Sequence, residues 1–251
     1  MNNRREYILG YGIDLLTMNE ALDFIGKKII NNEGAHIVTI NPEIIEAGEK
    51  NDELSDILKN AELIIPDGVG IKLALKIKGI NQNAIPGIDF ARNLVNVCAE
   101  NEYPIAMVGA QEEVINRAIE NIKKETPNVN IVYKHNGYFK DDDKIINDIL
   151  ATNPKVILVA MGAPKQEFFI NKLKSQKNDI ILIGVGGSFD VWSGYTKRAP
   201  KTWQKLGLEW LYRTLKEPKR FKRIFPTLPM FIFKVIIEDI QTVKDTDEWH
   251  D

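Results

Sequence analysis

Residues 63–71 have the sequence LIIPDGVGI, in which a short apolar run ends in one carboxylate, Asp67, flanked by glycines. The apolar run predicts a buried β-strand, and apolar residues at helical spacing follow it. Gly68 and Gly70 carry no side chain where the backbone must turn sharply or a ligand must approach it. The stretch therefore predicts a strand-to-helix junction of an α/β sheet, where such sheets usually place their chemistry.

Asp67 has two interpretations at this junction. Asp is a preferred N-cap residue, so its carboxylate could accept a hydrogen bond from the first turn of the following helix. A carboxylate at the carboxyl end of a strand could instead accept a proton from a substrate. The stretch alone leaves both interpretations open.

The composition is that of a globular protein. The chain has 251 residues, of which 44% are hydrophobic and 27% charged, enough for a sizeable core. Cys98 is the single cysteine, which excludes an intramolecular disulfide and favours a reducing compartment. It lies on the apolar side of a helical pattern, so we expect it to be inert. No apolar segment of signal-peptide length follows Met1, and we expect the protein in the cytoplasm.

Strand-like and helical segments alternate along most of the chain. Helical periodicity predicts helices near 19–30, 90–100, 111–124 and 141–151, and apolar runs predict strands at 7–10, 36–40, 63–66, 105–109, 129–133, 156–160 and 180–184. Continuous apolar strands that alternate with helices are typical of a parallel sheet with helices on both faces. We therefore predict an α/β fold with a mostly parallel sheet.

Thr39 and Asn41 lie at the carboxyl end of the second of these strands, just as Asp67 lies at the end of residues 63–66. Pro42 suits the first position of a helix, so Asn41 is well placed as its N-cap. The carboxyl ends of parallel strands meet at one edge of a sheet. We therefore expect these polar residues to lie at the same edge.

Glycines follow two later strands. Gly162 would let a ligand approach the backbone, and Gln166 falls in the first turn of the helix that follows it. Gly186 and Gly187 resemble a turn that cradles phosphate. Phe189, however, stands where the dinucleotide-binding pattern requires its last glycine, so the pattern is a weak signal.

Residues 195–251 differ in character from the rest of the chain. Between 195 and 240 there are 11 Lys and Arg against 4 Asp and Glu, a charge of +7, and 8 of the 21 aromatic residues. Helices are predicted near 202–216 and 219–240, with Pro218 starting the second and Pro226 and Pro229 interrupting it. This helical C-terminal appendage is expected either to lie on a negative partner, anionic lipid or nucleic acid, or to pack on the sheet. Its stretch 228–237 is too short to span a bilayer.

The sequence shows no pattern typical of a metal site, and we expect neither a metal nor a cofactor. The histidines lie far apart without ligand spacing. Two Asp-x-Asp pairs, at 141–143 and 245–247, lie in polar surroundings and are interpreted as solvated charge. No nucleophile elbow of an acyl-transfer hydrolase is present.

Six motifs in order resemble the WecG/TagA/CpsF glycosyltransferase family. They are TINPE at 39–43, PDGVG at 66–70, PGID at 86–89, GAPKQE at 162–167, GVGGSFD at 184–190 and RAP at 198–200. The resemblance extends from about residue 7 to about residue 225. It implies a Rossmann-like catalytic core, residues 1–194, with residues 195–251 as an appendage that docks on the membrane and completes the active site.

The resemblance also implies an activity. The family transfers a sugar from a UDP-sugar to polyprenyl-diphosphate-linked N-acetylglucosamine at the cytoplasmic face of the membrane, without a divalent metal. One branch uses UDP-N-acetylmannosamine and begins wall teichoic acid synthesis. UDP-N-acetylmannosaminuronic acid and UDP-glucose are alternative donors within the same family. We therefore expect a peripheral protein on the inner face of the cell membrane. Its expected partner there is the anionic membrane surface, and we expect no nucleic acid partner. The sequence leaves the oligomeric state open between a monomer and a homo-oligomer.

The same resemblance assigns roles to residues. It makes Asp67 the catalytic base, and Arg213, Arg220 and Arg223 the arginines that complete the site. A sugar hydroxyl needs a base, whereas UDP needs its developing charge stabilised, which guanidinium groups do well. The residues expected to bind substrate are Thr39, Asn41, Gly68, Gly109, Gln166, Gly186 and Gly187.

Two other classes of function are less well supported. A Rossmann oxidoreductase would need a glycine-rich loop after the first strand and an acidic residue at the end of the second, where this chain has Thr39 and Asn41. A non-enzymatic nucleotide- or RNA-binding module would explain the basic, aromatic appendage. It would not explain the polar residues gathered at the strand ends.

Overall fold

The structure is a computed structural model that describes residues 4–205, 208–216 and 218–247, with only the backbone described for 205, 213, 214, 216, 218–225 and 242–247. Its strands are β1 (Arg5–Ile8), β2 (Tyr11–Asp14), β3 (Ala35–Ile40), β4 (Leu63–Pro66), β5 (Ile105–Gly109), β6 (Ile131–His135), β7 (Val156–Ala160) and β8 (Ile181–Gly184). Six of them form a parallel sheet in the order β4-β3-β8-β7-β5-β6. The predicted parallel α/β sheet is confirmed.

Four of the helices begin at a polar side chain that caps their first turn. Thr17 forms a capping box with Glu20, and Asn41, Asn51 and Asp141 each accept a backbone N–H of the helix that they precede. The helices are α1 (Met18–Ile30), α2 (Pro42–Glu49), α3 (Asp52–Lys59), α4 (Gly68–Ile77), α5 (Gly87–Glu100), α6 (Glu112–Glu125), α7 (Asp142–Ala151), α8 (Lys165–Gln176), α9 (Ser188–Trp192), α10 (Lys201–Lys205), α11 (Glu209–Lys216) and α12 (Pro218–Asp247).

Both faces of the sheet are covered, because successive strand residues point to opposite sides. Ile37 and Leu63 face a core built with α1, α5 and α6. Val38 and Ile64 face a second core built with α2, α3, α4 and α12, and a third cluster joins β5 and β7 to α7 and α8. Cys98 is fully buried, and burial raises the pKa of its thiol to about 12, so the expected inert role in the core is confirmed.

The first predicted strand, 7–10, is wrong in its bounds, and β1 pairs with β2 outside the parallel sheet. Leu9 and Gly10 both have positive φ, 50° and 77°, and form a tight turn between β1 and β2. Such two-residue turns match the twist of an antiparallel hairpin, so the chain returns on itself instead of entering the parallel sheet. The strand predicted at 129–133 also begins two residues later, at Ile131.

The hairpin is attached to β4 through one fully buried carboxylate. Asp14 accepts two hydrogen bonds from Arg5, at 2.9 and 2.8 Å, and a third from the Ile64 N–H at 2.8 Å. A buried charge is tolerated only with such partners, and removal of one partner is strongly destabilising. Asp14 therefore fixes the hairpin beside the strand that leads to Asp67.

The C-terminal helix packs on the core. Phe231 and Val235 are buried against α2 and α4, while Lys234 pairs with Glu49 at 2.7 Å. Glu238 accepts the Leu9 N–H at 3.1 Å, which joins the helix to the hairpin turn. The predicted interruption at the two prolines is wrong, because α12 continues through both and its tertiary packing outweighs the lost backbone hydrogen bonds.

The opposite side of α12 has no covering element among the described residues, and its exposed apolar side chains are Met230, Phe233, Ile236, Ile237 and Ile240. We call these five residues the outer face of α12. Packing of this helix on the core, one of the two interpretations of the appendage, is thus confirmed for residues 227–238. Within the described chain, no helix has the combination of length and apolar character that crossing a bilayer requires.

Candidate active site

Asp67 lies at the junction that the sequence predicts, between β4 and α4. Its own N–H donates to the Ile40 carbonyl at 2.8 Å, which ties it to the end of β3. Gly68 then adopts φ +80°, a conformation that favours glycine, and the helix begins. The turn at Gly68 therefore places a half-buried carboxylate at the carboxyl edge of the sheet.

The carboxylate of Asp67 does not cap α4. Although Asp67 occupies the N-cap position, its side chain makes no capping hydrogen bond to that helix. It accepts instead the N–H of Gly87, at 3.3 Å, from the first residue of α5. The capping interpretation is therefore wrong, and the side chain is oriented across the edge of the sheet.

Thr39 lies beside this contact. A Cβ added to Gly87 would lie 2.9 Å from Thr39 Cγ2 and 3.2 Å from its hydroxyl oxygen, so the two residues are in close approach. The structure thus brings together Thr39, Asp67 and Gly87, which we call the base cluster. The role of Gly87 is new, although its motif at 86–89 was part of the resemblance.

Asn41 is placed at the same edge, and its amide oxygen caps α2 by accepting the Ile44 N–H at 3.1 Å. The expected N-cap is therefore confirmed. Gly109 ends β5, where its φ is +130° and an added Cβ would collide with the Ala160 carbonyl. Close packing of β5 on β7 explains this glycine.

A second group of residues lies at the end of β8, in the middle of the sheet. The amide oxygen of Gln166 accepts the Gly186 N–H at 3.1 Å. Gly186 has φ +50°, and Gly187 is exposed. We call residues 184–187 the glycine turn. Gln166 itself is buried, so the structure places it behind the turn.

Behind Gln166 lie two ionisable groups that the sequence interpretation missed. Glu167 accepts a hydrogen bond from the Gln166 amide at 2.9 Å, and its other oxygen lies 3.0 Å from His36 Nε2. Both side chains are almost fully buried. His36 and Glu167 are 131 positions apart, so no local pattern could have paired them.

A cavity of about 480 Å³ opens beyond the ends of β6 and β7, farther along the same edge. Lys165 lies over the Phe139 ring and donates to the Gly137 carbonyl at 3.1 Å. The volume is in the range of small-molecule sites. The lining residues are Gly137, Tyr138, Phe139, Lys140, Ala160, Met161 and Lys165.

Arg198, from the last of the six motifs, connects the appendage to this edge. Its Nη2 lies 2.7 Å from Asp89 Oδ2 in a two-pronged pair, and its Nε lies 3.4 Å from Glu209 at the start of α11. The hydrogen bond to Asp89 raises the pKa of Arg198 above its ordinary value. Asp89 and Gly87 both lie in α5, so Arg198 joins α11 to the helix whose first residue contacts Asp67.

Arg213 lies in α11, and Arg220 and Arg223 lie in α12. Their side chains are outside the described part of the structure, so their convergence on the base cluster stays a prediction.

No group of three or more His, Cys, Asp or Glu side chains suited to a metal ion occurs among the described residues. Asp141 caps α7 by accepting the Lys144 N–H at 3.0 Å, and both Asp141 and Asp143 are exposed. The exposure of these two carboxylates confirms the interpretation of the first Asp-x-Asp pair as solvated charge. The side chains of Asp245 and Asp247 fall outside the described residues.

Comparison with known proteins places this geometry in a family. The model of the "Glycosyl transferase WecG/TagA/CpsF family" matches residues 6–245. Three similar proteins are each named N-acetylglucosaminyldiphosphoundecaprenol N-acetyl-beta-D-mannosaminyltransferase. The protein of Bacillus spizizenii W23 is 36% identical over 85% of this chain and 83% of its own length. That of Bacillus subtilis 168 is 35% identical over 87% and 86%, and that of Staphylococcus aureus MW2 is 31% identical over 93% of each chain.

The matched region includes both the sheet edge with Asp67 and the helices that carry the three arginines. The family model and the three relatives agree with the resemblance that the six motifs indicated. The chain belongs to the WecG/TagA/CpsF glycosyltransferase family and is a glycosyltransferase.

Proposed function

We propose that the protein transfers N-acetylmannosamine from UDP-N-acetylmannosamine to undecaprenyl-diphosphate-linked N-acetylglucosamine, an early step of wall teichoic acid synthesis. The names of the three relatives support this donor sugar and this acceptor. The observation that carries the proposal is the carboxylate of Asp67, which lies at the sheet edge and leaves α4 uncapped. A carboxylate in this position suits a proton acceptor.

The proposed reaction is a single displacement with inversion. The acceptor hydroxyl oxygen attacks the anomeric carbon of the donor while Asp67 takes the hydroxyl proton. The bond from that carbon to the UDP oxygen breaks, and UDP leaves with the electron pair. The Gly87 N–H donates to Oδ1 of this carboxylate and so holds the base in place for the proton transfer. Because one base is enough for this reaction, no second carboxylate is required.

The leaving UDP needs its negative charge stabilised. Arg213, Arg220 and Arg223 are the proposed donors, because guanidinium groups bind phosphate in two-pronged contacts and remain charged. The pair from Arg198 to Asp89 and Glu209 holds the start of α11 close to the base cluster, which supports this role for Arg213. With these arginines, the reaction would proceed without a divalent metal.

The protein is proposed to act as a peripheral protein on the inner face of the cell membrane, where its acceptor lipid lies. The outer face of α12 supplies exposed apolar side chains, and residues 195–240 carry a charge of +7. Apolar side chains that enter the interface beside basic residues are typical of helices lying on anionic membranes.

The proposal is tested by measuring UDP release and disaccharide-lipid formation with three donors, UDP-N-acetylmannosamine, UDP-N-acetylmannosaminuronic acid and UDP-glucose. The acceptor is a polyprenyl-diphosphate-linked N-acetylglucosamine. We expect transfer from UDP-N-acetylmannosamine, with the same rate in excess EDTA. A higher rate with another UDP-sugar would contradict the proposed donor and identify that sugar nucleotide in its place. A strict need for Mg²⁺ or Mn²⁺ would contradict the metal-independent mechanism. UDP binding without transfer from any donor would favour a nucleotide-binding module.

A further inference from the structure

A buried ionisable pair lies directly behind the glycine turn. The side chains of His36 and Glu167 are 2% and 3% exposed, and His36 Nε2 lies 3.0 Å from Glu167 Oε2. A buried carboxylate is stable only when its oxygens have hydrogen-bond partners. Here the second oxygen, Oε1, accepts from the Gln166 amide at 2.9 Å. Both oxygens of Glu167 are therefore engaged.

These contacts fix which way the Gln166 amide faces. A carboxylate can only accept, so the NH₂ group of Gln166 must face Glu167 and its oxygen must face away. That oxygen accepts the Gly186 N–H at 3.1 Å. Removal of Glu167 would leave the amide free to rotate by 180°, which would present an NH₂ group to the Gly186 N–H. The conformation of the glycine turn thus depends on Glu167.

The strand beneath is shaped to fit this arrangement. A Cβ added to Gly184 would collide with the Gln166 amide and lie 3.0 Å from Glu167 Oε1. His36 is itself fixed, because its backbone N–H donates to Glu62 at 2.8 Å. Apolar residues of similar volume would often fill such a position at equal or higher stability. The pair therefore serves to orient the neighbouring side chains at this part of the sheet edge.

We infer that Glu167 and His36 are positioning residues of the donor site. They orient Gln166, and through Gln166 they hold the glycine turn in the form that binds the diphosphate of the donor. In this arrangement Gln166 lies behind the glycine turn, and its amide oxygen accepts the N–H of Gly186. The inference rests on the proposed function, since it takes a UDP-sugar as the ligand.

The test compares Glu167→Ala with Glu167→Gln in the full chain, by calorimetric titration with UDP and by the KM and kcat of transfer. In Glu167→Gln, the new oxygen can accept from Gln166 and the new NH₂ can donate to neutral His36, so we expect a UDP Kd within about twofold of wild type. Glu167→Ala removes both contacts, and we expect Kd and KM to rise by about tenfold or more, with a smaller change in kcat.

Two further variants separate positioning from general loss of stability. Leu173→Ala removes a buried side chain two turns later on α8 and should lower the thermal midpoint with the UDP Kd unchanged. Gln166→Ala combined with Glu167→Ala should bind UDP no more weakly than Gln166→Ala alone, because Glu167 acts through Gln166.

An unchanged UDP Kd in Glu167→Ala, in a background where wild type binds UDP, would overturn the inference and leave the proposed function intact. An equal rise of Kd in Leu173→Ala would also overturn it. Failure of the wild-type protein to bind UDP would overturn both.

Discussion

Asp67 accepts a backbone N–H from α5, and its own helix receives no cap from it. Replacement by Asn keeps the volume and one oxygen but removes the ability to take a proton. We therefore expect Asp67→Asn to lower the rate of transfer by about a hundredfold or more, the usual contribution of a general base. The UDP Kd and the thermal midpoint should change little, since the Asn oxygen can still accept the Gly87 N–H.

Asp141→Asn is the matched control, because Asp141 does cap its helix and Asn caps almost equally well. Its transfer rate should equal that of wild type. If Asp67→Asn kept more than about a tenth of wild-type turnover, the role of Asp67 as base would be contradicted. Loss of activity in Asp141→Asn would direct attention to a metal at that acidic cluster.

At this scale the sequence predicted what depends on near neighbours. The N-cap of Asn41 follows from the proline beside it, and the placement of Asp67 follows from the strand before it. The orientation of the Asp67 carboxylate depends on Gly87, 20 positions away, and the buried pair joins residues 131 positions apart. Contacts of this kind arise from the packing of whole elements and leave no local pattern.

Among the elements, α11 is joined to α5 through Arg198, which pairs with both Asp89 and Glu209. Arg198→Ala removes the two-pronged pair with Asp89 and the contact with Glu209, so this connection between α11 and α5 is lost. We expect the transfer rate to fall by about tenfold or more, and limited proteolysis between α9 and α11 to become faster. Arg198→Lys should be intermediate, because an ammonium group cannot form both contacts in one plane.

Arg92→Ala is the control for this change. Arg92 lies one turn from Asp89 on the same helix and pairs instead with Glu125 at 2.8 Å. Its transfer rate and proteolysis pattern should match those of wild type. Wild-type activity in Arg198→Ala would show that the pair holds α11 without serving the reaction.

Most elements could be predicted, because their apolar periodicity is strong and their caps are local. The hairpin was missed because its two short strands lie on either side of a turn at Leu9 and Gly10 that resembles a continuous apolar run. The continuation of α12 through Pro226 and Pro229 was missed because packing of Phe231 and Val235 on the core outweighs the local preference of proline. In both cases a tertiary contact decides the local conformation.

For the whole molecule, we expect the outer face of α12 to carry membrane binding. Phe233 and Ile237 are 58% and 39% exposed and lie one turn apart, so serine at both positions should leave the packing of Phe231 and Val235 on the core intact. We expect the double variant to pellet less with phosphatidylglycerol vesicles and to lose activity on vesicle-bound acceptor. Its activity on a water-soluble acceptor analogue should be unchanged. Basic side chains nearby contribute about 1 kcal/mol each, so some binding should remain at low salt.

Ile30→Ser is the control, because Ile30 is an apolar residue on α1 that is even more exposed, at 71%. Equal pelleting of the double variant and this control would contradict the assignment. Substitution is preferable to deletion of residues 195–251, which would expose the core residues that Phe231 and Val235 cover.

β4, which leads to Asp67, is an outermost strand of the parallel sheet, and its outer edge is blocked. The Asp67 N–H points inward to β3, whereas the Ile64 N–H points outward and is taken by the Asp14 carboxylate. Pro66, the next outward position, has no N–H, and its carbonyl accepts from Ile85 at 2.7 Å. An open edge is a template on which a strand of another chain can add, and proline or a charge at the edge prevents this. The hairpin and Pro66 therefore protect the protein from strand-to-strand aggregation at the strand that leads to Asp67.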